Sequence, residues 1–267
     1  MSDDPSRGGN DEFERLLTVL RELRQRCPWD REQTIASLGK HLLEEAYETL
    51  DAIERDDTHA IIDELGDLIA QVLAVAVIAE EQQRFRVAEL FQSAADKLVR
   101  RHPHVYADTA ATTSAEVIDN WNRIKQEERR SAGAASALDG IARAMPALAR
   151  AEKLGSRARQ AGMDWRDIHD VLAKVREEMD EVEGALANND TAAAAGELGD
   201  MLLALANAPR FIEHSAEETL RRACDKFTLR FAAVERIAAS RGRDLKQLRP
   251  DEIDALWNEA KRNPTGN

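Results

Sequence analysis

An all-α fold is predicted by three observations. Aromatic residues make up only 4% of the 267-residue chain, Gly and Pro number 13 and 7, and Ala, Leu, Glu and Arg, which lose little freedom in a helix, dominate the rest. Apolar residues recur with helical periodicity in ten segments. The composition, 43% hydrophobic and 33% charged, supplies enough apolar material for one large core or two modest ones and excludes disorder throughout.

Taken in order, the polar and acidic start MSDDPSRGGN reads as a disordered tail over 1–10 and lacks the basic start and apolar centre of a secretory signal. Helices are then expected over 11–26, over 35–55 carrying LLEEAYETL, and over 58–83 carrying ELGDLI. The last of these holds an apolar run from Leu68 to Ala79, read as a buried helix segment because it falls well short of the roughly 20 residues that cross a bilayer. Helices over 86–101 and 114–129 complete a first half. The small and polar stretch that follows Gln126 marks a linker over 127–140. A second half repeats the plan with helices over 141–160, 168–188 (VREEMDEVE), 191–213 (ELGDML), 216–241 and 251–262. Helices joined by short loops pack as bundles. The domains are therefore expected at 11–126 and 141–267. Cys27 and Cys224 show no zinc or redox spacing and no disulfide framework, as suits a reducing cytoplasm. With a formal charge of −13, the chain repels a nucleic-acid backbone, and no direct nucleic-acid binding is expected.

The repeat carries the chemistry. Glu44, Glu45, Glu48, Glu64 and Asp67 reappear as Glu177, Glu178, Glu181, Glu197 and Asp200, each 133 residues later. Lys97 and Arg101 match Lys226 and Arg230 at an offset of 129, and Trp121 with Lys125 matches Trp257 with Lys261 at an offset of 136, as Trp29 matches Trp165. On helices the i, i+3 and i, i+4 spacings aim four or five carboxylates of two neighbouring helices at one point. A solvated acidic face is the alternative, but Glu64, Asp67, Glu197 and Asp200 have no Lys or Arg one turn away in either direction. Two like charges about 4 Å apart repel by roughly 4 kcal/mol at an effective dielectric of 20, so such a cluster needs protons or a cation. Oxygen-only donors suit Mg²⁺ or Mn²⁺, whereas a di-iron bundle would need Glu-x-x-His where this chain has Glu-x-x-Asp twice. Gly66 and Gly199 precede the Asp of each copy despite a helix cost of about 1 kcal/mol, which implies a close approach by a neighbouring helix or by a ligand. The repeated basic pairs fit phosphate oxygens, and the repeated indoles fit a base or sugar. His102 and His104 flank Pro103 in what reads as a turn and are assigned a structural role.

These motifs, together with CPWDREQT (Cys27 to Thr34) and RRHPHVYAD (Arg100 to Asp108), resemble the MazG family of nucleoside triphosphate pyrophosphohydrolases. The resemblance covers nearly the whole chain after the tail. It implies two tandem MazG-type helical bundles related to all-α dimeric dUTPases, dependence on Mg²⁺ with Mn²⁺ as a possible substitute, and conversion of NTPs and dNTPs to monophosphates and pyrophosphate. It implies Glu178, Glu181, Glu197 and Asp200 as metal ligands, with Glu45, Glu48, Glu64 and Asp67 at the matching places. It likewise implies Lys226, Arg230, Trp257 and Lys261 as nucleotide contacts, with Lys97, Arg101, Trp121 and Lys125 as counterparts. Glu177, and Glu44 in the first copy, sit next to the ligand set and are candidates for general base or water orienter. Lys174, one turn before Glu178, resembles a nucleotide contact, but the first copy has His41 there; the second copy is therefore expected to be the more active. The apolar stripes exceed what five short helices cover, which points to a homodimer. Two rival readings are a nucleotide-sensing module that binds without turnover and a helical scaffold with a merely solvated acidic face.

Overall fold

A computed structural model describes residues 5–107 and 109–262, with side chains from Asp11 onward. Every regular element among them is helical, and the chain divides into two compact units, Met1–Lys125 and Gln126–Asn267.

The first unit contains α1 (Pro5–Arg26), α2 (Pro28–Glu32), α3 (Ile35–Glu54), α4 (Thr58–Glu81), α5 (Val87–Arg101), α6 (Pro103–Tyr106) and the start of α7 (Ser114–Ser131). Its central feature is the α3–α4 hairpin. Thr34 opens α3 with a reciprocal capping box to Ser37, and Asp57 opens α4 by accepting from the backbone N–H groups of His59 and Ala60. Between them the backbone turns sharply through Asp56 at φ 53°, the left-handed region that a short polar side chain tolerates. Leu17, Leu73, Ala76, Val77 and Val87 form a buried cluster, with Phe13, Leu16, Leu20 and Leu90 packed around it. Glu80 ties three helices at this end: it pairs with Arg21 of α1 at 2.9 Å and accepts from the first backbone N–H of α5, Val87, at 3.0 Å. The Glu80 carboxyl is held below its usual range, first by that backbone bond and then by Arg21.

The second unit contains the end of α7, then α8 (Ala147–Gln160), α9 (Ile168–Ala187), α10 (Thr191–Leu205), α11 (Ala216–Ser240) and α12 (Pro250–Arg262), with 3-10 turns at Pro209–Ile212 and Leu245–Gln247. An α9–α10 hairpin repeats the α3–α4 arrangement, with Asp167 and Asp190 as the N-caps. Ala233, Val234, Ala238, Leu256 and Ala260 build a separate core between α11 and α12. Glu152 of α8 accepts from Ala216 N–H at 3.2 Å and so anchors the start of α11.

Several boundaries differ from the sequence expectations, each for a local reason. Residues 5–10, expected to be disordered, are helical: Pro5 presets the first turn, and the amphipathic run beyond Asp11 extends back through Gly8 and Gly9. Residues 1–4 lie outside the described residues. Residues 127–131 of the expected linker continue α7, because QEERR is built of good helix formers, and the chain leaves the helix only before Gly133 at φ +87°. The helix expected from 141 begins at Ala147, after Pro146, and the one expected to 213 ends at Leu205, ahead of Pro209; both prolines lack the N–H that a helix interior needs. The run from Leu68 to Ala79 is buried only in part: Leu73 and Ala76 to Ala79 are inside, but Ile69 and Val72 face outward.

One contact in the second unit sets a limit on substitution. A Cβ at Gly155 of α8 would overlap Oδ1 of Asn207, a buried residue whose Nδ2 donates to Leu203 O at 3.0 Å. Gly155→Ala is expected to destabilise by about 1–3 kcal/mol despite the helix preference for Ala, as read from the urea midpoint. A stabilised variant would show that α8 and the Asn207 loop separate freely.

Candidate metal centre and nucleotide contacts

The two hairpins each gather acids from both of their helices. On α3 and α4, one carboxylate oxygen from each of Glu45, Glu48 and Glu64 lies within 4.8 Å of the others, and on α9 and α10 the same is true of Glu178, Glu197 and Asp200. The i, i+3 spacing within each helix and the three-residue turn between helices account for this convergence. Asp67 and Glu181, the fourth residues of the two sets, stand outside these closest groups but within electrostatic reach of them.

The copies differ in how they neutralise this charge. In the second unit the Lys174 ammonium lies 2.7 Å from Glu177 Oε1 and 2.7 Å from Glu178 Oε1. Glu178 is 3% exposed. The Lys174 bond holds the Glu178 carboxyl below its ordinary range against the opposing effect of burial, and the two carboxylates hold Lys174 well above its own. Glu181 is pushed up, first by burial and then by its hydrogen bond and repulsion with Glu178. In the first unit His41 takes the lysine's place, and its Nδ1 lies 3.2 Å from Glu44 while its ring stands edge-on to Trp29. The Glu45 carboxyl is raised, by burial first and then by Asp67, Glu48, Glu44 and Glu64. Among the described residues no ion pair is made to Glu45, Glu48 or Glu64.

The basic and aromatic residues fall on the remaining helices. In the first unit the Arg101 guanidinium lies over the Trp121 ring at 5.3 Å, and His102 meets the same ring edge-on at 4.9 Å. His102 Nδ1 is bonded to Leu98 O at 2.7 Å, and neither it nor His104 joins a metal-capable group among the described residues. Lys97 is exposed on α5, and Lys125 is half-buried on α7. In the second unit Trp257 packs on Phe227 at 5.3 Å. Lys226 and Arg230 on α11 and Lys261 on α12 make no ion pair among the described residues. Within this unit α11 packs on α8 and α12.

One expectation is narrowed: a Cβ at Gly66 or Gly199 meets no protein atom within 4 Å, so neither glycine marks a neighbouring helix within its own unit. Lys174, expected at the nucleotide, lies 2.7 Å from Glu178 Oε1, at the edge of the acid set. Sequence reasoning also missed Arg24, which pairs with Glu81 at 2.8 Å and donates to the backbone carbonyls of Asp30 and Gln33, fixing the CPWDREQT segment against α1 and α4. No local spacing signals a contact across that distance in the chain.

With this geometry established, comparison with known proteins is specific. A family model described as the MazG nucleotide pyrophosphohydrolase domain matches residues 33–106. The chain is 43% identical over 257 residues to a nucleoside triphosphate pyrophosphohydrolase of Escherichia coli K12, covering 94% of this chain and 98% of that protein. It is 34% identical to the nucleoside triphosphate pyrophosphohydrolase/pyrophosphatase MazG of Thermotoga maritima, covering 93% and 95% respectively. A crystal structure of a MazG-related protein from Thermotoga maritima aligns with a TM-score of 0.38 and 27% identity, over 42% of this chain and 97% of that one. The duplicated acid hairpins and the near full-length similarity agree: the chain belongs to the MazG family.

Proposed function

We propose that this chain is a Mg²⁺-dependent nucleoside triphosphate pyrophosphohydrolase that converts NTPs and dNTPs to monophosphates and pyrophosphate, with the second acid set the more active. The observation that carries the proposal is the convergence of Glu178, Glu197 and Asp200 to within 4.8 Å. Its chemistry fits a hard divalent cation, because all the donors are carboxylate oxygens and neither His nor Cys joins them. Mg²⁺, or Mn²⁺ in its place, would be held by Glu178, Glu181, Glu197 and Asp200, and by Glu45, Glu48, Glu64 and Asp67 in the first copy. When bound, the ion supplies charge neutralisation for triphosphate oxygens and acidifies water.

The chain's own groups do the rest. Glu177, exposed and bonded to Lys174, stands beside the acid set with a free carboxylate oxygen to orient and deprotonate the attacking water; Glu44 has the same place in the first copy. Lys226, Arg230 and Lys261 offer charge to the leaving pyrophosphate, and Trp257 offers a surface to the base. Lys97, Arg101, Trp121 and Lys125 are the first-copy counterparts, but Arg101 and Trp121 already engage each other. That engagement, and the lack of an ion pair to Glu45 among the described residues where Glu178 has Lys174, support the second copy as the more active.

Large apolar side chains are exposed along both hairpins, among them Leu43, Tyr47 and Leu50 on α3, Ile62, Leu65 and Ile69 on α4, and Leu198 and Leu202 on α10. A homodimer that covers these stripes is part of the proposal. We propose the tandem domains at 11–126 and 141–267. No described helix is long and apolar enough to cross a membrane. Cys27 and Cys224 are unpaired, in keeping with a cytoplasmic location.

Incubation with Mg²⁺ and a dNTP, followed by phosphorus NMR, is expected to show monophosphate and pyrophosphate in equal amounts. Diphosphate with orthophosphate would place the attack elsewhere, and binding without turnover would make the protein a sensor.

A further inference from the structure

We propose that Arg157 and Arg150 of α8 form a binding site for a phosphate-type oxyanion, made of residues outside those assigned to the nucleotide. Arg157 is 9% exposed. Its Nη1 donates to the backbone carbonyl of Ala137 at 3.0 Å, and no carboxylate pairs with it among the described residues. Two turns back on the same helix face, Arg150 also makes no ion pair among the described residues, and its Nε is buried without a partner. A buried cation loses hydration and regains that free energy only where an anion meets it.

The duplication explains why Arg157 has no carboxylate. At the offset of 136 that carries Trp29 onto Trp165, Arg21 falls on Arg157. Arg21 pairs with Glu80 at 2.9 Å, and Glu80 also accepts from the first backbone N–H of α5. In the second unit these two tasks come apart. Glu213, 133 residues after Glu80, follows the Pro209–Ile212 turn at φ 59° instead of lying on α10, and it makes no ion pair among the described residues. The backbone task passes to Glu152 of α8, which accepts from Ala216 N–H at 3.2 Å and from the Ser215 hydroxyl at 3.3 Å. Glu152 is the one acid in the sequence of α8, against the basic residues Arg150, Lys153, Arg157 and Arg159.

Charge and access identify the occupant. Apart from Arg150 Nε, no partnerless nitrogen of the two guanidinium groups is sealed from solvent, so a small anion can reach them. A guanidinium fork matches phosphate oxygens, and an anion with two or more charges neutralises both arginines, whereas a single carboxylate neutralises one. Long side chains rooted about 10 Å apart along the helix can converge on a group of diphosphate size. Inorganic pyrophosphate meets these requirements and is the product of the proposed reaction, but the site does not depend on that reaction.

Calorimetric titration of the full chain with inorganic pyrophosphate in metal-free buffer tests the site. Arg157→Met, which keeps the reach of the side chain and removes its charge, is expected to weaken pyrophosphate by about 10-fold or more, and Arg150→Met by several-fold; Lys226→Met, in the nucleotide set, should change the affinity by less than about twofold. Pyrophosphate should also raise the urea midpoint of wild type but not that of Arg157→Met, which without the anion should be at least as stable as wild type. Wild type that does not bind pyrophosphate, equal affinity in wild type and Arg157→Met, or a loss confined to Lys226→Met would each overturn the inference, the last by moving the anion to the nucleotide cations. Should Arg157→Met fail to fold, Arg150→Met decides, and unchanged affinity there would overturn the inference as well. Binding with the expected pattern in a protein that releases no pyrophosphate from NTPs would remove the hydrolase reading and leave the anion site standing.

Discussion

Glu178→Gln is expected to lower Mg²⁺-dependent pyrophosphate release by about 100-fold or more while leaving the helical circular dichroism signal unchanged. Glu178 is the most buried acid of its set and pairs with Lys174 at 2.7 Å. Gln keeps the shape of the side chain, so no cavity forms, and Lys174 retains its 2.7 Å bond to Glu177, so no ammonium is left unpaired. What disappears is one of the negative charges that a divalent ion needs. The matched variant Glu45→Gln is expected to cost much less activity, because the first unit sets a histidine where the second has Lys174 and engages its own Arg101 and Trp121 with each other. Steady-state assays of both variants across a panel of NTPs decide the point. Equal losses would show that the two sets contribute alike, and full activity in Glu178→Gln would remove the second set from the chemistry.

The contrast between these residues also shows where sequence patterning reaches and where it stops. The helices carrying the acids are legible because capping residues and apolar periodicity coincide, as at Thr34 before α3 and Asp57 before α4. The acid sets are legible because an identical offset repeats across a whole hairpin. The ends of helices are set by prolines whose effect outweighs the apolar pattern running past them, as at Pro146 and Pro209. The two shortest helices, α2 and α6, contain too few residues to establish a period, and each begins at a proline, Pro28 and Pro103. Contacts that join distant segments have no local signature: Arg24 reaching Gln33 and Glu81, Glu80 reaching Val87, and Asn207 filling the space over Gly155 all depend on tertiary packing. Lys174 is an intermediate case. Its i, i+4 relation to Glu178 is visible in the sequence, but that spacing is equally compatible with an ion pair and with a phosphate contact, and the structure shows the ion pair.

The first unit should register its acid set as a stability cost that Mg²⁺ relieves. Glu45 has a folded-state pKa raised above the ordinary carboxylate value of 4.5, by burial and by Asp67, Glu48, Glu44 and Glu64. The native state therefore binds a proton at this site more tightly than the unfolded chain. Stability from this group falls as pH rises from the ordinary value through the raised one, and above that window the full penalty remains. At pH 8 without metal, Glu45→Gln is expected to melt higher than wild type, and near pH 4, where the carboxyl is already protonated, the two should converge. Added Mg²⁺ acts on the same repulsion: at 100 times its dissociation constant a ligand bound only to the native state stabilises by about 2.7 kcal/mol, so wild type should gain at pH 8, Glu45→Gln should gain less, and neither should gain near pH 4. The second unit has opposing contributions, since Lys174 lowers the Glu178 pKa while burial raises that of Glu181, which makes the Glu178 contribution one that is lost as pH falls. Scanning calorimetry of wild type and Glu45→Gln at the two pH values, with and without Mg²⁺, tests this directly. A Glu45→Gln protein that melts lower than wild type at pH 8 without metal would mean that the clustered carboxylates stabilise the empty hairpin, and the electrostatic argument for a cation at the first set would fail.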